Sequence, residues 1–182
     1  MTATAVKTKT AAAAAAHSYG WVPDIPDQRD IPYTAPLNTL VKLPAFVDLR
    51  DGFPTPYDQG NLGSCTANAL AGLMQFVQKK EGMADFTPSR LFIYYEERKR
   101  EHTITSDSGA MLRDGMKVLH TVGAPPETLW PYDITKFTVL PPAKAYATAS
   151  GDEALQYKRV YRTLNQFRGC LAEGYPFTVG IG

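Results

Sequence analysis

The segment Gln59-Gly60-Asn61-Leu62-Gly63-Ser64-Cys65, followed at once by an amphipathic run, constrains this chain more than any other feature. Leu70, Leu73, Met74 and Val77 recur at helical spacing, so a helix is expected to open at Cys65. Lys79 and Lys80 fall in its last turn, where cations suit the dipole, and Gly82 can end it. Residues 59–64 read as a loop. The Cys65 sulfur is thus expected beside the unpaired N–H groups and positive end of a helix, which stabilise a thiolate, the nucleophilic form. Acyl transfer also needs donors aimed at the oxygen that gains charge. The N–H of Cys65 is one, and the side-chain amide of Gln59, six residues upstream, is a second. Gly63 and Ser64 leave room for a substrate backbone to approach. A cysteine at a helix start is by itself more often a small buried residue; the glutamine and glycines before it single Cys65 out.

Composition narrows the classes. With 182 residues, 44% of them hydrophobic, the chain suits one domain with a real core plus a leader. A net charge of +1 offers no basic stripe for nucleic acid. No apolar run approaches the roughly 20 residues that span a membrane. Cys65 and Cys170 are too few for a disulfide framework, and no CxxC pair suggests zinc. No metal or organic cofactor is implied. Sparse cysteines favour a reducing, cytoplasmic setting. The first residues, two lysines followed by Ala11 to Ala16, leave a secretory signal as the alternative.

Residues 1–20 are a low-complexity leader. Residues 21–43 carry four prolines among Trp21, Ile25, Ile31 and Tyr33, and are expected to be extended and irregular. A packed domain is expected over residues 44–182. A second helix should open at Thr87-Pro88-Ser89, with Leu91, Phe92, Tyr94 and Tyr95 on its apolar face. A third is expected from about Ala110 to His120, stopped by Gly123 and Pro125-Pro126. Residues 127–142 read as an aromatic loop. Tyr157 to Tyr161 reads as a short strand, Thr163 to Glu173 as a helix capped by Thr163, and Pro176 to Gly182 as a strand.

The stretch LPAFVDLRDGFPTPYDQGNLGSCTANALAG resembles the start of a mature papain-like cysteine protease domain. The matching residues are Val47-Asp48-Leu49-Arg50, Thr55-Pro56, Gln59-Gly60 and Gly63-Ser64-Cys65, with the family's glutamine-to-cysteine spacing. Further on, Thr87-Pro88-Ser89, Ser108-Gly109 and Trp130-Pro131-Tyr132 resemble later family segments, so the likeness covers about Pro44 to Gly182. The resemblance implies an α+β fold: a helical L-domain around Cys65, then the beginning of a β-rich R-domain. It implies Cys65 as nucleophile, Gln59 as oxyanion-hole donor, and Gly63, Ser64, Ser108 and Gly109 along a cleft for an extended peptide or protein substrate. It implies a cysteine-type endopeptidase working through a thioester. In such enzymes a propeptide crosses the cleft; the family's long helical propeptide is not seen here, and residues 21–43 would either cover the cleft in extended form by intramolecular contact or be a disordered tail with a partial surface contact. Leu62 and Thr66 depart from the family pattern, which has a cysteine and a tryptophan there.

A papain-type cysteine works with a histidine, which an asparagine orients. His17 lies in the leader, His102 among charged residues and His120 at a helix end, so none reads as the base. In the family that histidine follows the strand that Pro176 to Gly182 resembles. The expectation is a chain truncated before its base and inactive as it stands. The alternatives are a non-catalytic peptide-binding module, a degenerate gene fragment, or another acyl-transfer enzyme with an amine acceptor. Cys170 reads as a core residue without a role.

Overall fold

Three helices make the centre of the molecule, because three stretches of sequence each bury apolar residues against the other two. The computed structural model describes residues 19–151 and 156–181. The low-complexity leader up to residue 18, His17 included, lies outside the described residues. Helix α2 (Cys65–Lys80) contributes Ala67, Leu70 and Ala71, all fully buried. Helix α3 (Arg90–Arg100) is buried from Leu91 to Arg98. Helix α4 (Leu112–Thr121) packs on both. Leu91, Ile93 and Tyr94 join Leu62, Ala110, Leu119 and Ala124 in one core cluster. Burying a side chain such as Leu70 or Leu91 is worth about 1.5–3 kcal/mol.

The ends of these helices follow the local sequence. Ser89 caps α3, its hydroxyl accepting from the Phe92 N–H at 3.2 Å. Helix α3 stops at Arg100, and just beyond it His102 turns the chain with φ 60°. A helix buried along its length must also satisfy its polar residues. The Arg98 guanidinium, with no exposure, donates to the carbonyls of Ile104 at 2.7 Å, Ser106 at 3.2 Å and Phe137, pinning two loops to α3. Glu96 accepts from Lys99 at 3.0 Å and from the Tyr146 hydroxyl. Tyr146 belongs to α5 (Ala143–Ala149), which buries Ala145 and Ala149 against Phe92.

The segment before the domain is docked along it. Trp21–Val22 (β1) pairs in parallel with Ala110–Met111 (β2), with Trp21 opposite Ala110 and Val22 opposite Met111. Residues 24–30 then follow α4. The Arg113 N–H donates to Asp24 at 2.9 Å, and its guanidinium donates to the Ile25 carbonyl and to Asp30 at 2.9 and 2.6 Å. Arg159 adds a 2.9 Å bond to Asp30. Backbone bonds Arg159 N–H to Ile31 O (2.8 Å) and Tyr33 N–H to Arg159 O (2.9 Å) continue the seam. A short helix α1 (Leu37–Val41) packs on α6 (Leu164–Ala172), which is capped by Thr163 as expected.

The architecture is α+β, mostly helical with one small sheet. Three local expectations need correction, and one helix, over residues 143–149, had no expectation at all. Residues 37–41 turn helical after Pro36, whose fixed φ suits a helix entry. Residues 143–149 form α5 after Pro142. Tyr157 to Tyr161 makes one isolated bridge, at Arg159, instead of a strand. Among the described residues nothing pairs with residues 176–181 as a strand, and a strand pattern without a neighbour forms no ladder. Phe177 there stacks on Phe167 at 4.9 Å. None of the described helices is long and apolar enough to cross a membrane.

Candidate active site

Cys65 is the first residue of α2 and is half-exposed. Its sulfur has no hydrogen-bond partner among the described residues. No side chain caps this helix start. The opening N–H groups of α2 thus remain available, and the positive end of the dipole faces the thiol's surroundings. Cys170 is a different thiol. It is buried on α6, donates to the Tyr175 carbonyl at 3.4 Å, and is pushed up to about 11 by burial, with Glu173 adding to the effect. Such a thiol is inert at neutral pH.

The loop before Cys65 is held at several points. The Gln59 amide nitrogen donates to the Leu62 carbonyl at 3.0 Å, which also accepts from the Ser64 N–H at 2.8 Å. Gln59 thereby folds back over its own glycine-containing turn. The Gly63 N–H donates to both oxygens of Asp107 at 3.0 Å. Asp107 also accepts from the Tyr94 hydroxyl, and that hydroxyl accepts from the Gly109 N–H at 3.1 Å. Tyr94 is driven well above the usual phenol range, first by burial and then by its bond to Asp107. Tyr94 and Asp107 together tie the Gly63 loop to the Gly109 loop.

Those two loops face each other across the chain's own backbone. The Gly20 carbonyl accepts from the Ala110 N–H at 2.8 Å. A side-chain carbon at Gly20 would stand 2.0 Å from the Gly63 carbonyl oxygen, and one at Gly109 would stand 1.8 Å from the Gly20 oxygen. Gly109 also has φ +71°, a conformation that L side chains rarely adopt. Next along, the Trp21 ring lies against Gly180. The contact between the leader and the Gly63–Gly109 gap thus runs through residues 20–22, just ahead of and into the 21–43 segment.

The remaining sequence candidates fall differently. Ser64 is fully buried with its hydroxyl 2.5 Å from that of Tyr132, so it faces inward. Ser108 is exposed and donates to Thr103 Oγ1 at 2.8 Å. His102 lies just past the end of α3, and the His120 ring meets Tyr157 edge-on at 5.7 Å; neither bonds to Cys65. Thr66 replaces the family's aromatic residue with a hydroxyl that donates to Glu97 at 2.9 Å. Burial holds Glu97 well above the usual carboxylate range, against the opposing bond from Thr66. Its second carboxyl oxygen has no partner, which suits a protonated acid. The sequence pattern places Tyr94 only on an apolar helix face and Tyr132 only in a family-like segment, and gives no role to Asp107 or Glu97.

No family model matches the chain. It is 36% identical over 191 residues to an uncharacterized peptidase C1-like protein of Acanthamoeba polyphaga mimivirus, covering 91% of this chain and 61% of that protein. Its structure is similar to the crystal structure of xylellain, a cysteine protease from Xylella fastidiosa. That likeness has TM-score 0.80 and 42% identity, covering 87% of this chain and 64% of xylellain. The chain spans less than two thirds of the length of either relative. With these two relatives, each matching about nine tenths of it, the chain belongs to the papain-like cysteine protease family.

Proposed function

We propose that this chain carries the nucleophile side of a cysteine endopeptidase site. Cys65 attacks the carbonyl carbon of a peptide bond as a thiolate. The resulting oxyanion is held by the Cys65 N–H and the Gln59 side-chain amide. Collapse expels the amine, which takes a proton, and leaves a Cys65 thioester. Water then attacks the thioester, releases the acid and restores the thiol. The observation that carries this reading is Cys65 at the uncapped start of α2, with the Gln59 amide folded into the loop immediately before it. Neither His102 nor His120 is assigned as the base, since neither bonds the thiol.

In this reading Gly63 and Gly109 line the path of the substrate backbone. The approach of Gly20 to both supports it: the gap accepts an extended peptide. The leader then acts as an intramolecular occupant of the cleft, and substrate must displace it. A peptide bearing a thiol-reactive electrophile tests the assignment. It should label Cys65, and labelling should quicken when the leader is undocked. Hydrolysis of a peptide substrate that survives Cys65→Ser at the wild-type rate would refute the role.

A further inference from the structure

Gln59 and Ser64 flank the loop that leads to the nucleophile, and a single hydroxyl touches both. The Tyr132 hydroxyl donates to the Gln59 backbone carbonyl at 3.1 Å and lies 2.5 Å from the Ser64 hydroxyl. A phenol has one proton to give. The Gln59 carbonyl can only accept, so Ser64 donates to Tyr132. The Ser64 hydroxyl in turn accepts from the Asn68 side-chain amide at 3.1 Å, and the Asn68 oxygen accepts from Arg90 at 3.1 Å. Arg90 donates to the Asp58 carbonyl at 3.1 Å, and its guanidinium lies 4.0 Å from the Tyr132 ring centre and 4.7 Å from that of Tyr57. Glu127 fixes the guanidinium with two bonds of 2.8 and 2.9 Å. The circuit therefore starts and ends beside Gln59, and every member has a partner.

We propose that Tyr132, held by Arg90, is a positioning residue that sets where the Gln59 amide stands relative to Cys65. The proposal rests on the peptidase reading of those two residues. Residues 60–63 include two glycines, so the loop alone offers little stiffness. Tyr132 clamps its two ends together from outside. An oxyanion donor works only when held in place before charge develops, so its support bears on turnover more than on substrate binding.

Tyr132→Phe in the intact protein removes the hydroxyl and keeps the ring over Arg90. Amide hydrogen exchange in residues 59–64 should quicken by about fivefold or more, while α3 exchanges as before. For peptide hydrolysis, kcat should fall about tenfold with KM within about twofold. In a Gln59→Ala background the same substitution should change kcat by less than about twofold, since the group it positions is gone. Unchanged exchange in the 59–64 loop would overturn the proposal, as would an equal loss of kcat in both backgrounds. If Tyr132→Phe fails to fold, Ser64→Ala cuts the same circuit and should give the same loop exchange. If the unaltered protein has no turnover, the exchange measurement alone decides the positioning role, and labelling of Cys65 by a thiol-reactive peptide separately decides the peptidase reading.

Discussion

Asp30→Ala should undock residues 19–35 without unfolding the helical core. Asp30 accepts from both Arg113, at 2.9 and 2.6 Å, and Arg159, at 2.9 Å. The side chains of Asp30 and Arg113 are 13% and 8% exposed, so their pairing is little screened; Arg159, at 38%, contributes less. Breaking a buried pair costs about 3–5 kcal/mol. Arg113 would keep its bond to the Ile25 carbonyl, and the pair lies under the leader and outside the main core, so about 2 kcal/mol applies. That shifts leader docking about thirtyfold. Hydrogen exchange of residues 19–35, followed by mass spectrometry, should show loss of protection of that order, with α2 and α3 unchanged. Equal protection of the leader in both proteins would refute the reasoning, because the latch would then carry no docking energy. The same latch gives a pH dependence. Hydrogen bonds from Arg113, aided by Arg159 and opposed by burial, hold Asp30 below the usual carboxylate range. Its contribution is therefore complete above the undocked value of about 4 and is lost as pH falls through the lower docked value.

Three further outcomes are expected. Gly109→Ala should loosen β1 and the Gly20 contact, since the added carbon would meet the Gly20 oxygen at 1.8 Å and the φ of +71° is disfavoured; exchange at residues 20–22 measures this. Ser89→Ala should lower stability by about 1–2 kcal/mol in denaturant titration, because it removes the α3 cap and a 2.6 Å bond to the Trp130 carbonyl. Glu97→Gln should stabilise the fold more at pH 7 than at pH 4. Burial raises the Glu97 carboxyl, so the native acid opposes folding increasingly as pH rises above its unfolded value of about 4.3, and the amide does not. Thermal unfolding at both pH values measures the difference.

What could be read from the sequence was what short-range chemistry controls. The start of α2 at Cys65 and the Thr163 cap each depend on residues within one turn, and each stands where the pattern predicts; α3 starts at Arg90, just past the expected Thr87-Pro88-Ser89 opening, because Ser89 caps it and leaves Pro88 outside the helix. The stretches 157–161 and 176–181 misled because a strand is defined by its partner, which local alternation does not supply. The pairing of Trp21 with Ala110 was invisible for the converse reason: two residues per strand carry no periodicity, and their partners are far apart in the chain. Helix α5 follows two prolines and has only alanines to bury, so its packing on Phe92 gave no apolar stripe to detect. At the site, the helix start at Cys65 and the loop that carries Gln59 were legible from local sequence. Asp107, Tyr94 and Tyr132 were not, since each acts through a bond between segments distant in sequence.

The central claim is that Cys65 is a peptidase nucleophile, and the presence of Cys170 in the same chain provides an internal control. The direct measurement is treatment with a peptide carrying a thiol-reactive electrophile at neutral pH, followed by mass-spectrometric mapping of the adduct. An adduct is expected on Cys65 and none on the buried Cys170, with faster labelling in Asp30→Ala. Labelling of Cys170 in preference to Cys65, or none at Cys65 with the leader undocked, would contradict it.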